Sequence, residues 1–207
     1  MDDLLAEKKL LDVFKKSLRL PRSKFNLFST VLAIVLLTIH VSYSTQSRLD
    51  LHNAVRAAAA NGFSLSLGLL GFLIAGLTIL SSVSSSGLVV HMANTEYKNS
   101  GISYLKYNYF GLVSVFIWYL IFAFCCMAIT VFGAQGSALS AIINALGCDS
   151  WTPLAKDFLA KGAFILIYSF QFYLLLQLKS FVFNVYHISM TSARWMQEQD
   201  AKKNLTR

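Results

Sequence analysis

Residues 109–132, YFGLVSVFIWYLIFAFCCMAITVF, form a run of 24 residues with no Asp, Glu, Lys, Arg or Pro. As a helix rising about 1.5 Å per residue it is roughly 36 Å long, enough to cross a hydrocarbon core of about 30 Å. It lies within 42 uncharged residues that separate Lys106 from Asp149. Upstream, 39 uncharged residues separate Arg56 from Glu96, and 23 separate Lys24 from Arg48. Downstream, the 17 residues Gly162–Leu178 are uncharged, and after Lys179 another 14 precede Arg194. Four such stretches in 207 residues exclude an ordinary soluble domain. Only 14% of the chain is charged and 56% is hydrophobic, against a charged share of about 25% in soluble domains. The fold class read from this pattern is an all-α integral membrane protein with four transmembrane helices.

The spans fall at about 25–44, 63–83, 109–132 and 163–186 within a transmembrane domain covering 25–186. Before them, residues 1–24 form a basic segment in which DDLLAEKKLLDVFKKSLRL (2–20) is amphipathic: Leu4, Leu11, Phe14 and Leu18 fall on one helical face. This N-terminal amphipathic helix is too polar to span, so it lies on the membrane surface or docks on a partner. Its charged run is longer than a usual signal n-region, which makes the first span an uncleaved helix. Residues 45–62 read as a short polar loop ending in the turn signal Asn61-Gly62. In the loop 133–162, residues 137–146 read as a short interfacial or re-entrant helix, and Thr152-Pro153 as a helix start. Span four continues without a breaker, so 187–207 is expected to be a helical extension into the cytoplasm.

Charge places the ends. The N-terminal segment carries seven Lys/Arg, the 81–108 connection two and the segment from Lys179 onward five, against four in the two opposite loops. The positive-inside rule then puts both termini in the cytoplasm. The net charge of +8 is concentrated beside a hydrophobic span, which argues for anionic lipid and against direct nucleic-acid binding. Cys125 and Cys126 are adjacent within a span and Cys148 stands alone, so the cysteines read as packing residues rather than a disulfide framework. No phosphate-binding loop, zinc-protease motif, paired CxxC or serine-hydrolase elbow is present, and His40, His52, His91 and His187 are scattered. The chain therefore reads as a non-enzyme with no metal site and no cofactor. The carboxylates Asp50, Glu96, Asp149 and Asp157 lie in loops, which weakens a proton-coupled transporter reading.

Two stripes stand out. Ser64, Gly68, Gly71, Ala75, Thr78, Ser82 and Ser85 recur at alternating offsets of four and three, the seam of small residues that lets membrane helices approach closely. They form an oligomer face, a pore lining, or packing within one bundle. Tyr173, Gln177, Ser180, Asn184, His187, Thr191 and Arg194 repeat with the same alternation, a polar seam that lipid would not solvate. The two stripes are expected to meet, Thr78, Ser82 and Ser85 against Gln177, Ser180 and Asn184. Lys8, Lys9, Lys15, Lys16 and Arg19 in the N-terminal segment, with Arg194 and Trp195 at the far end, are the expected partner or lipid-surface residues.

The segment 64–80, SLSLGLLGFLIAGLTIL, set between a basic N-terminus and a C-terminal helical extension, resembles KwaA, the four-span membrane subunit of the bacterial Kiwa antiphage system. The resemblance implies an inner-membrane homo-oligomer, a tetramer, that senses phage attack. It further implies a KwaB-like cytosolic effector that engages DNA. No functional residue carries over from it position by position. The leading expectation is an oligomeric membrane sensor or scaffold for antiviral defence. The alternative is a homo-oligomeric channel or pore whose Ser/Gly/Thr face lines water.

Overall fold

A computed structural model describes residues 7, 9–18, 23–44, 47–83, 86–98, 101–133, 141, 142, 145 and 152–205. Six helices make up these residues: α1 (Leu10–Ser17), α2 (Lys24–Tyr43), α3 (Arg48–Val83), α4 (Ser86–Asn94), α5 (Tyr104–Phe132) and α6 (Thr152–Leu205). No strand is present among them, only an isolated bridge between Glu96 and Ser103. Helices α2, α3, α5 and α6 are each long and apolar enough to cross a membrane. The chain is a multi-pass, all-α membrane protein.

Helix starts follow local chemistry. Ser23 caps α2, its hydroxyl accepting from the Asn26 amide at 3.4 Å. Ser47 accepts from the Asp50 amide at 3.2 Å and donates to the Asp50 carboxylate at 2.6 Å, a reciprocal cap at the start of α3. That cap corrects the expected loop at 45–62: residues 48–62 are helical. The alanine run 57–60 is the strongest helix-forming stretch in the chain. Gly62 is not a turn but a packing site, where an added Cβ would lie 3.0 Å from the Cys126 Sγ and 3.2 Å from the Phe122 ring. Cys126 is buried there, in the packing role expected of it.

The N-terminal helix has eight described residues, Leu10–Ser17, and Leu4 lies outside the described residues. Leu11 is 64% exposed and Leu18 40%, while Phe14 is half-buried. The expected short helix at 137–146 and the re-entrant reading of 133–162 lie outside the described residues except at 141, 142 and 145. Helix α6 begins at Thr152, within a residue of the expected start, and runs unbroken for 54 residues, about 81 Å. Its buried residues Ala160, Ile167, Leu174, Phe181 and Ile188 repeat every seventh position, the period of a left-handed supercoil.

The chain divides into two compact units. The unit made of 22–70 and 118–176 has α5 at its core, with Tyr119, Phe122, Ala123 and Cys126 buried. Phe170 of α6 meets Phe122 and Trp118 edge-on, with ring centroids 5.1 and 5.9 Å apart. Helix α2 is peripheral, burying only Asn26 and Val41. Asn26 is 2% exposed and donates to the Leu176 carbonyl at 3.3 Å, and the Tyr119 hydroxyl donates to the Leu174 carbonyl at 3.1 Å. The Arg56 guanidinium donates to the Gly133 carbonyl at 3.0 Å. In the unit made of 1–21, 71–117 and 177–207, Leu73, Leu88, Phe110, Leu112, Phe181 and Ile188 form the core. Gly76 faces the Phe181 ring, 3.1 Å from where a Cβ would sit.

Candidate functional site

The second of these units collects α1, α4, the start of α5 and the far end of α6, and with them two thirds of the Lys and Arg residues. Its organising contact is an ion pair that the sequence pattern does not announce. Glu7 pairs with Lys106 at 3.0 Å, both side chains only 6% exposed, and the same carboxylate accepts from Lys16. Burial by itself would raise the Glu7 carboxyl, but the two ammonium groups outweigh it and hold the group below its ordinary value. Lys106 is held in turn by the start of α5, where the Ser103 hydroxyl accepts from its amide at 3.3 Å. The N-terminal segment is thus joined to the start of α5 through Glu7, while Leu10, Leu11 and Leu18 are exposed.

The approach to α5 is a miniature hairpin. Tyr104 donates its amide to the Thr95 carbonyl at 2.8 Å and Tyr97 to the Ile102 carbonyl at 2.9 Å. The Gly101 amide donates to the Glu96 carboxylate. Gly101 has φ +72°, a left-handed conformation that costs glycine least. The Tyr97 ring stacks on Tyr107 with centroids 3.7 Å apart. Across the unit, α4 packs on the extension of α6: Leu88 and Met92 are buried, as are Ile188 and Ser192. Trp195 stacks on His91 at 4.9 Å, and its indole nitrogen lies 3.4 Å from where a Gly87 Cβ would be.

Trp195 is therefore half-buried against α4. Its apolar area is already matched by the His91 ring. Arg194 is exposed and pairs with Glu198 one turn on, at 2.9 Å. Lys9, Lys15 and Lys16 are exposed, while Lys8 and Arg19 lie outside the described residues.

The two stripes are placed differently from each other. Ser64, Gly68, Gly71, Ala75, Thr78 and Ser82 are all exposed, an added Cβ at Gly68 or Gly71 would touch nothing within 4 Å, and Ser85 lies outside the described residues. The Thr78 and Ser82 hydroxyls donate to carbonyls of their own helix, Ile74 at 3.0 Å and Ile79 at 2.9 Å. Helix α3 buries the opposite set, including Ala59, Ser66, Leu70 and Leu73. Among the described residues the small-residue stripe is thus an exposed face of α3. Of the polar seam, Gln177 and Ser180 are half-buried and Asn184 and His187 exposed; His187 contacts the Phe183 ring at 4.6 Å. Among the described residues no three His, Cys, Asp or Glu side chains gather into a metal-binding group.

Sequence reasoning missed Glu7, Lys106 and Asn26. Lys106 and Asn26 are isolated polar residues beside apolar runs, and that isolation was the available signal; Glu7, among the charges of 2–20, carried none. No protein-family model, no curated protein and no solved structure matches this chain.

Proposed function

We propose that this protein is a non-enzymatic, oligomeric anchor and sensor of the bacterial inner membrane, with both termini cytoplasmic, that recruits a cytosolic effector protein. The observation that carries the reading is the contact ahead of α1: the Glu7 carboxylate joins buried Lys106 of α5 to Lys16 of the basic helix α1, with Lys9, Lys15, Leu10 and Leu11 exposed. A helix presented in this way serves recruitment at an anionic membrane surface. The exposed α3 stripe supports assembly, since small residues let a second helix approach closely. The antiphage setting and a KwaB-like effector rest on the resemblance of 64–80 and of the overall plan.

The test is extraction of the tagged protein from its host in mild detergent, followed by mass measurement of the intact complex. The expected result is a homo-oligomer carrying a stoichiometric cytosolic protein. That partner is lost in a Lys9→Glu/Lys15→Glu double variant and in Arg194→Glu, while the oligomer persists. The second reading, a channel, is favoured by the exposure of Ser64, Thr78 and Ser82 on one face. A homo-oligomer without partner that conducts in planar bilayers, with conductance abolished by Gly71→Leu and Thr78→Leu, would replace the anchor reading.

A further inference from the structure

At the Tyr43 end of α2, a cavity of about 220 Å³ opens between α2, α3 and α6. Val41 and Leu51, both buried, and the Phe164 ring supply its apolar lining. Its polar groups are His40, Ser44, Asp157 and Lys161. Asp157 and Lys161 stand one turn apart on α6 with carboxylate and ammonium 3.2 Å from each other, and neither is fully buried: their side chains are 22% and 41% exposed. Depth is fixed by α2, which ends at Tyr43, an 83% exposed tyrosine one residue before Ser44. Tyrosine at the end of a spanning helix marks the headgroup level of the bilayer.

An apolar wall, charges of both signs within one turn, and headgroup depth restrict the ligand. A simple anion site would carry cations in excess, and a divalent metal site would carry carboxylates in excess. Here one of each stands beside a hydroxyl and an imidazole, the complement of a phosphodiester joined to a primary ammonium. The volume falls below the about 300–1,000 Å³ of drug-sized sites, which suits a headgroup rather than a larger molecule. We propose that this cavity binds the headgroup of a zwitterionic phospholipid of the phosphoethanolamine class. Lys161, Ser44 and His40 hold the phosphate, Asp157 accepts from the ammonium, and the acyl chains lie along the outside of α2. The site also explains why α2, so little buried, stays beside α6 at this end.

The full-length protein is reconstituted into nanodiscs with equal amounts of phosphatidylethanolamine, phosphatidylcholine and phosphatidylglycerol, and retained lipids are counted by native mass spectrometry. The wild type is expected to keep the ethanolamine lipid about tenfold over the other two, the scale of one charge-assisted hydrogen bond. Choline carries the same phosphate but no N–H, and glycerol carries no positive charge. Asp157→Asn should erase the preference, and Lys161→Ala should lower retention of all three. Equal retention of ethanolamine and choline lipids by the wild-type protein overturns the proposal without any variant. So does a preference that survives both substitutions. Tighter binding of soluble phosphoethanolamine than of the intact lipid to delipidated protein would overturn it as well, assigning the cavity to a free metabolite.

Discussion

Asn26 and Tyr119, on different helices, donate to carbonyls two residues apart on α6. In a bilayer a helix carbonyl already holds its own backbone bond, so each added donor contributes about 0.6–2 kcal/mol. Tyr119→Phe keeps the ring and removes one donor; it is expected to lower the unfolding free energy by about 1 kcal/mol in a denaturing-detergent titration. Glu7 acts on a different scale. Its carboxylate neutralises Lys106, which is buried, and removing one member of a buried pair costs on the order of 3 kcal/mol. In Glu7→Gln that cost falls on the docking of α1, so amide exchange across 9–18 should accelerate while exchange in α5 and α6 stays unchanged. The pH dependence follows from the lowered Glu7 carboxyl. A depressed carboxylate adds stability that is complete above its unfolded value near 4.5 and disappears as pH falls through the lower folded value. Protection of α1 should therefore hold at pH 5 to 7 and be lost in more acidic buffer, and should show no such step in Glu7→Gln.

Among the elements, α3 shows how far a periodic pattern can be read. Its glycines fall into two classes by environment. Gly62→Val and Gly76→Val drive a side chain into Phe122 and Phe181, rings that are themselves buried, and should cost about 1–3 kcal/mol through overpacking. At Gly68 and Gly71, the sites of Gly68→Leu and Gly71→Leu, an added Cβ meets nothing within 4 Å among the described residues. Those two should leave helicity and protomer stability unchanged but shift the detergent-solubilised protein to lower mass if the stripe holds subunits together, which light scattering measures. The four spans were legible because uncharged runs alone decide them, and the continuation of α6 because no breaker interrupts it. The start of α3 was missed: Asn61-Gly62 reads as a turn, and the capping-box spacing of Ser47 and Asp50 was not used. Which glycines pack was not legible: all four lie in the same small-residue context, and only the placement of the two phenylalanine rings separates them. Trp195 likewise reads as a docking aromatic until His91, more than a hundred residues away, is found stacked on it.

For the whole molecule, four candidate spans among the described residues and a bias of basic residues toward one set of segments yield a topology that reporters decide. A fluorescent protein fused after Arg207 should fluoresce, and alkaline phosphatase inserted after Ser44 should be active outside the cytoplasm; the inverse pair of results would reverse the orientation. The cavity at the end of α2 and the ion pair beneath α1 were beyond sequence reading, because each is assembled from residues far apart in the chain whose local contexts are ordinary. The seven-residue repeat of buried positions in α6 bears on how this protein can change over time. One residue inserted between Ala160 and Ile188 turns everything after it by about 100°, moving Phe181 and Ile188 off their neighbours. A seven-residue insertion instead preserves phase and adds about 10.5 Å. Natural variants of this helix should therefore differ in length by whole multiples of seven, so that drift in its reach is quantised rather than gradual.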